Sequence, residues 1–177
     1  MDDRRRRAAD SANRDGRSGD HRGAPGALRR SRGRRLSASA AGWEHFETEA
    51  DVGVHAWAAT RGAAFAQAAL GVFALIVRPE EVEEREQREV RAQADSPERL
   101  LVAWINECLY VHEIEGIVVR QVEVDACTET VVHGVLRGEE VDAGRHQLGT
   151  VVKAATLHRV SVTESAGRHE VRVIVDV

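Results

Sequence analysis

The chain has 177 residues, 25 Lys and Arg against 29 Asp and Glu, two Cys, and no apolar run long enough to span a membrane. Its formal charge of −4 hides a split: residues 1–41 hold 12 Arg and 5 Asp, a net of +7, while residues 42–177 hold 13 basic and 24 acidic side chains, a net of −11. That excludes a uniformly basic nucleic-acid binder for the body of the protein, and two Cys in this length exclude a disulfide-stapled secreted scaffold.

Residues 1–41 contain no aromatic side chain and two isolated leucines, Leu28 and Leu36. They cannot bury enough apolar surface to offset the entropy of ordering, so the expectation is a disordered, Arg-rich extension. No apolar core follows the Arg cluster, which argues against a secretory signal, and the five Asp argue against an organelle transit peptide. The expected location is therefore cytoplasmic. A cationic arm for RNA or an acidic partner is one use for this segment; an extension without a role is the other.

The body, 42–177, is long enough for a core of its own. Strands are expected at Trp43–Glu47 and Val52–Ala59, the second with Val52, Val54, Ala56 and Ala58 on one face. Thr60 suits a helix N-cap. The stripe of Phe65, Ala69, Val72, Phe73 and Ile76 predicts a helix to about Val77, and Pro79 marks its end. Arg85–Ala94 is compatible with helix or exposed strand, and strand is preferred. Ser96-Pro97-Glu98 opens a second helix that Gly116 closes. Strands are then expected at Ile117–Cys127, with Val118, Val122, Val124 and Ala126 on one face, and at Val131–Leu136. A polar connection, Gly138–Gly149, leads to a strand at Val151–Thr163, with Val152, Ala154, Thr156, Val160 and Val162 on one side. The turn Ser165-Ala166-Gly167 precedes a last strand that alternates Val171, Val173, Val175 and Val177 with Arg172, Ile174 and Asp176. The sum is a single α+β domain, two helices covering one face of a largely antiparallel sheet.

Phosphate-loop, dinucleotide, nucleophile-elbow and common zinc signatures are missing. Cys108, on the apolar side of the second helix, reads as a small core residue, and Cys127 has no evident role. The carboxylates are more informative. Glu47, Glu49 and Asp51 alternate ahead of the second strand and share a face if that strand is regular. Asp176 is the penultimate residue, with a terminal carboxylate one position on. Clustered carboxylate oxygens suit a hard cation, and solvated charges at strand edges are the plainer reading; spacing alone brings nothing near Asp176. Lys153 is the single lysine beside 24 Arg, which either marks a site needing a compact ammonium or is retained by chance. His158 falls on the Val/Ala side and is expected in the core.

Four ordered motifs resemble the archease family: Glu49-Ala50-Asp51-Val52-Gly53-Val54 with Ala64-Phe65 and Ala68-Ala69-Leu70-Gly71; Leu100-Leu101-Val102 with Trp104-Ile105-Asn106-Glu107; His146, Gly149, Val152-Lys153-Ala154, Thr156 and His158; and the closing Val173-Ile174-Val175-Asp176-Val177. The resemblance spans about 43–177 and implies an accessory protein rather than an enzyme. Such proteins are partners of the GTP-dependent RNA ligase that seals tRNA exon halves, promoting its guanylylation and multiple turnover, in tRNA splicing or RNA repair. It implies a metal site at Asp51, Asp176 and Val177, with Glu49, Lys153 and His158 as supporting residues and a divalent cation, calcium first and magnesium or manganese as alternatives. tRNA or RNA is then an indirect partner and no membrane is involved. Many members carry His where this chain has Thr48, which implies weaker binding here if that His supports the site. The Glu49 form resembles a bacterial subgroup, to which RNA repair is the implied task. Competing readings are a chaperone or RNA-binding adaptor using the basic arm, and, less well supported by the residues, a metal-dependent hydrolase.

Overall fold

The alternating start of the body forms an antiparallel hairpin of β1 (Gly42–Glu47) and β2 (Val52–Ala58). This is a computed structural model in which residues 40–49 and 51–177 are described; the expectation of a disordered segment at 1–41 lies outside them except at its last two residues. Thr60 then caps α1 (Arg61–Ile76), its hydroxyl accepting from the Ala63 N–H at 3.2 Å. All five residues of the expected stripe are buried. A single 3-10 turn, Pro79–Glu81, follows. The charged stretch is strand, β3 (Glu86–Gln93). Ser96 caps α2 (Pro97–Glu115), with Pro97 in its first turn, and Gly116 ends it at φ 65°, where a left-handed backbone favours glycine.

β4 (Ile117–Cys127), β5 (Val131–Glu140), β6 (Ala154–Ser165) and β7 (Arg168–Asp176) complete the domain. The α+β class and the antiparallel pairing are as expected. The strands divide between two sheets, one of order β1-β2-β7-β6 and one of order β3-β5-β4. α1 contacts β1, β2 and β7 of the first sheet and β4 of the second, while α2 contacts β6 and β3, so the helices join the sheets through a shared core. Phe65, Phe73, Leu100, Leu101, Trp104 and Ile105 fill it, each contributing roughly 2–3 kcal/mol over an exposed position. The Trp104 indole N–H, which burial would otherwise leave unpaired, donates to the Phe65 carbonyl at 3.2 Å. Cys108 is buried here as expected.

Two of the expected strand faces are corrected by bulges. β4 skips Arg120 and Asp125 in its pairing with β5, so its side chains change face twice. Ile117, Val119, Val122 and Val124 reach the main core, Val118 turns to a small cluster with Val77 and Val82, and Ala126 is exposed. Opposite the bulges the β5 backbone comes so close that only glycine fits: a Cβ on Gly134 would lie 2.2 Å from the Glu123 oxygen, and one on Gly138 1.8 Å from the Val118 oxygen. β5 also runs four residues further than expected, which draws Glu139 into the sheet. In β6, Thr156 pairs with Ile174 and Ser161 with Arg172, so Leu157–Val160 stand opposite Val173 alone. This bulge puts Ala155, Val160 and Val162 on the core side, turns Ala154 and Thr156 away from it, and leaves His158 exposed instead of in the core.

The loop between β5 and β6 is anchored at both ends. Buried Glu139 accepts from the Glu83 N–H at 2.7 Å, from the His146 Nε2 at 3.1 Å and from Arg145. The Asp142 N–H donates to His146 Nδ1 at 2.9 Å, which assigns the proton to Nε2. Further on, the N–H groups of Gly149 and Thr150 donate to the last carbonyls of α1, Ile76 at 2.7 Å and Leu75 at 2.8 Å. Burial alone would raise the Glu139 carboxyl, but the Glu83 N–H, Arg145 and His146 outweigh it and hold it at about 2 instead of the usual 4.5.

Because the folded carboxyl is the stronger acid, its contribution to stability is complete above pH 4.5 and is lost as pH falls toward about 2. Urea unfolding across that window shows a decline in the wild type that Glu139→Gln flattens, and the variant is less stable at neutral pH. Gly138→Ala lowers stability by about 2–3 kcal/mol through overpacking against Val118, read as a drop in the urea midpoint at unchanged m-value.

Candidate functional site

The hairpin turn between β1 and β2 is tied by one side chain. The Thr48 hydroxyl accepts from the Asp51 N–H at 3.0 Å and donates to the Asp51 carbonyl at 2.8 Å, while the Thr48 N–H donates to the same carbonyl at 3.1 Å. Glu47 therefore ends β1 and Asp51 precedes β2, so Glu47, Glu49 and Asp51 do not share one strand face as expected; they border a turn. Asp51 is positioned instead by register. β2 pairs with β7 from Val52 opposite Val175, so Asp51, just before β2, and Asp176, just after Val175, lie at the same end of this strand pair. Asp176 alternates with buried Val175 and so projects from the face turned away from the helices, while Asp51 lines a groove together with Arg172 of that face.

Asp176 has β6 on its other side, paired with Ala154, and its carbonyl accepts from the Lys153 N–H at 2.9 Å. Lys153 turns back over this end of the sheet. Its Nζ donates to the main-chain oxygen of Val177 at 3.0 Å and lies 3.8 Å from Asp176 Oδ1. Both side chains are more than half exposed, so the pair contributes little to stability; its interest is its place. Asn106 fixes that place from α2, its amide donating to the Ala155 carbonyl at 3.3 Å and accepting from the Ala155 N–H at 2.7 Å. The Asn106 and Gly149 positions in the sequence motifs thus both hold the segment that carries Lys153.

Asp51, Asp176 and the Val177 main-chain oxygen make an oxygen-only donor set, which suits a hard cation. Among the described residues no group of three or more His, Cys, Asp or Glu side chains gathers in metal-binding geometry. Two carboxylates and one main-chain oxygen would leave a bound cation incompletely enclosed, and the Lys153 ammonium already stands against two of these oxygens.

At this end of the sheet lies an open groove of about 680 Å³, lined by Phe46, Glu47, Thr48, Glu49, Asp51, His158, Arg159 and Arg172. Glu49 and His158, both anticipated as supporting residues, meet Asp51 here. Arg159 and Arg172 were not anticipated: a bulge brings in the first, and the second is one of many Arg in the sequence. Cys108 and Cys127 are free thiols, and burial pushes both up and away from the reactive thiolate.

Fold and tip together define a small two-sheet α+β domain with a carboxylate-and-lysine end. The profile described as "Archease protein family (MTH1598/TM1083)" matches residues 43–177. The archease of Methanopyrus kandleri is 35% identical over 137 residues, covering 76% of this chain and 98% of that protein. The archease of Pyrococcus abyssi is 33% identical over 141 residues, with the same coverages of 76% and 98%. The solution structure of Methanobacterium thermoautotrophicum protein 1598 superposes with a TM-score of 0.65 at 29% identity, over 77% of this chain and 99% of that one. The chain belongs to the archease family.

Thr48→Val removes both hydroxyl bonds of the turn and costs about 1 kcal/mol locally, read as faster hydrogen exchange at the Asp51 amide with a core melting transition close to that of the wild type.

Proposed function

We propose that this protein is an accessory factor of a GTP-dependent RNA ligase, promoting the ligase's guanylylation and its multiple turnover in tRNA splicing or RNA repair. It acts on the ligase, a cytoplasmic partner, and touches RNA through it. The observation supporting this reading is the β2–β7 register, which brings Asp51 and Asp176 to the same end of the central strand pair, where Lys153 donates to Val177. Family membership supports it as well. No helix among the described residues is long and apolar enough to cross a membrane.

Asp51, Asp176 and the Val177 main-chain oxygen would hold a divalent cation, calcium first, with Glu49 and His158 facing the same groove. When bound, the cation supplies positive charge for the phosphates handled in the ligase's active site. An exposed site of few protein ligands suits a cation that the partner's groups help to coordinate. Lys153 reaches Asp176 and the last residue with a compact ammonium.

Adding the protein to its cognate ligase raises multiple-turnover ligation, and Asp51→Ala or Asp176→Ala lowers that stimulation about tenfold or more, as loss of a metal ligand does. Equal turnover with and without the wild-type protein would overturn the reading.

A further inference from the structure

Residues 42–177 contain twelve Arg. Nine of them, including Arg61, Arg88, Arg120 and Arg145, are ion-paired with carboxylates. Among the described residues, Arg91, Arg159 and Arg172 are without an ion pair. Two of these three converge on the groove beside Asp51.

Their presentation is built into the backbone. Arg159 sits in the β6 bulge at φ 52°, a left-handed conformation that is strained for a residue with a Cβ. The bulge turns His158 and Arg159 together toward the groove. Arg172 rises from β7 with its guanidinium carbon 5.7 Å from the centre of the Phe46 ring, a cation–π contact that steadies the group without using its hydrogen-bond donors. Phe46 lies flat on the adjacent strand because Gly53 has no side chain: a Cβ there would be 2.1 Å from the ring. Glu49 and Asp51, which line the same groove, are likewise without ion pairs among the described residues. Two guanidinium groups and an imidazole therefore share a groove of about 680 Å³ with the carboxylates of Glu49 and Asp51, and no ion pair among the described residues joins them. That volume is in the range of small-ligand sites, roughly 300–1,000 Å³.

We propose that His158, Arg159 and Arg172 form a binding site for a phosphate group, carried by a nucleoside phosphate or by an RNA end. Paired guanidinium forks match phosphate oxygens bidentately. The groove's carboxylates accept ribose hydroxyls or hold the phosphate's divalent counter-ion. The setting of this site beside a ligase rests on the function proposed above; its ligand chemistry does not.

The test uses the full chain without ligase, in chelator and at low salt. Fluorescence reports binding of two probes, a fluorescently labelled GMP and a labelled single-stranded RNA decamer ending in a 3′-phosphate. The double variant Arg159→Gly, Arg172→Gln relieves the left-handed strain and keeps the strand, and its thermal transition confirms folding. It binds at least one probe about tenfold more weakly than wild type, while Arg91→Gln, which removes an equal charge outside the groove, stays within about twofold. Loss confined to GMP assigns the phosphate to a free nucleotide, and loss confined to RNA assigns it to an RNA end. Unchanged affinity of the double variant for both probes, or an equal loss in Arg91→Gln, overturns the proposal. Ligase stimulation plays no part in this readout, so failure of either reading leaves the other standing.

Discussion

The register between β2 and β7 is the constraint on which the tip of the molecule depends. Val54, Ala56, Val171, Val173 and Val175 are buried on one face of this central pair. A slip of β7 by one residue would turn Val171, Val173 and Val175 to the opposite face, at roughly 1.5 kcal/mol or more for each valine. The same alternation that buries the valines sends Gly53, Arg172, Ile174 and Asp176 to the outer face, and Asp51 lines a groove with Arg172 there. The carboxylate pair is thus held in place by the hydrophobic core, although neither carboxylate touches it. A weak surface site gains a well-defined geometry in this way, without a rigid shell of its own.

Around that pair the supporting contacts come from distant parts of the chain. Asn106 bridges α2 to Ala155, Gly149 and Thr150 bind the end of α1, and His146 and Glu139 lock the loop between them. All three act on the segment that leads to Lys153. The sequence motifs of the archease family are scattered over the chain, yet in space they are successive braces on one short stretch of backbone. Thr48 supplies a brace of a different kind, holding the Asp51 turn by hydrogen bonds to its backbone.

Much of the fold was legible because its signals are periodic and local. Caps at Thr60 and Ser96, the glycine at Gly116 and the alternation of β7 each follow from a few neighbouring residues. The bulges in β4 and β6 were not legible, since an extra residue is defined by what stands opposite it, and alternation read along one strand carries straight through. That error misplaced Val118, Ala126, Ala154 and Thr156, and it sent His158 inward on paper when it is exposed. Glu139 was assigned to a polar connection because its partners, Glu83, Arg145 and His146, only become neighbours in the folded sheet. For the site, Asp51 and Asp176 were linked by resemblance, and pairing order supplies the physical reason. Arg159 and Arg172 left no trace in a sequence with so many arginines, because what separates them is the lack of a counter-charge in space.

The strand order β1-β2-β7-β6 has a consequence for how the protein is made. The three strands of the other sheet are complete once Glu140 has emerged from the ribosome, so that half can pair while synthesis continues. β1 and β2 emerge first of all, but the partner of β2 is the last strand of the described chain. The early hairpin must wait with one edge open for more than a hundred residues of translation, a long-range closure of the kind that slows folding and exposes strand edges to misassociation. Asp51 and Asp176, flanking the closing pair, come together only at that final step. The tip that carries the proposed activity is therefore also a marker of completed folding, and a truncated or stalled chain would present the hairpin without it.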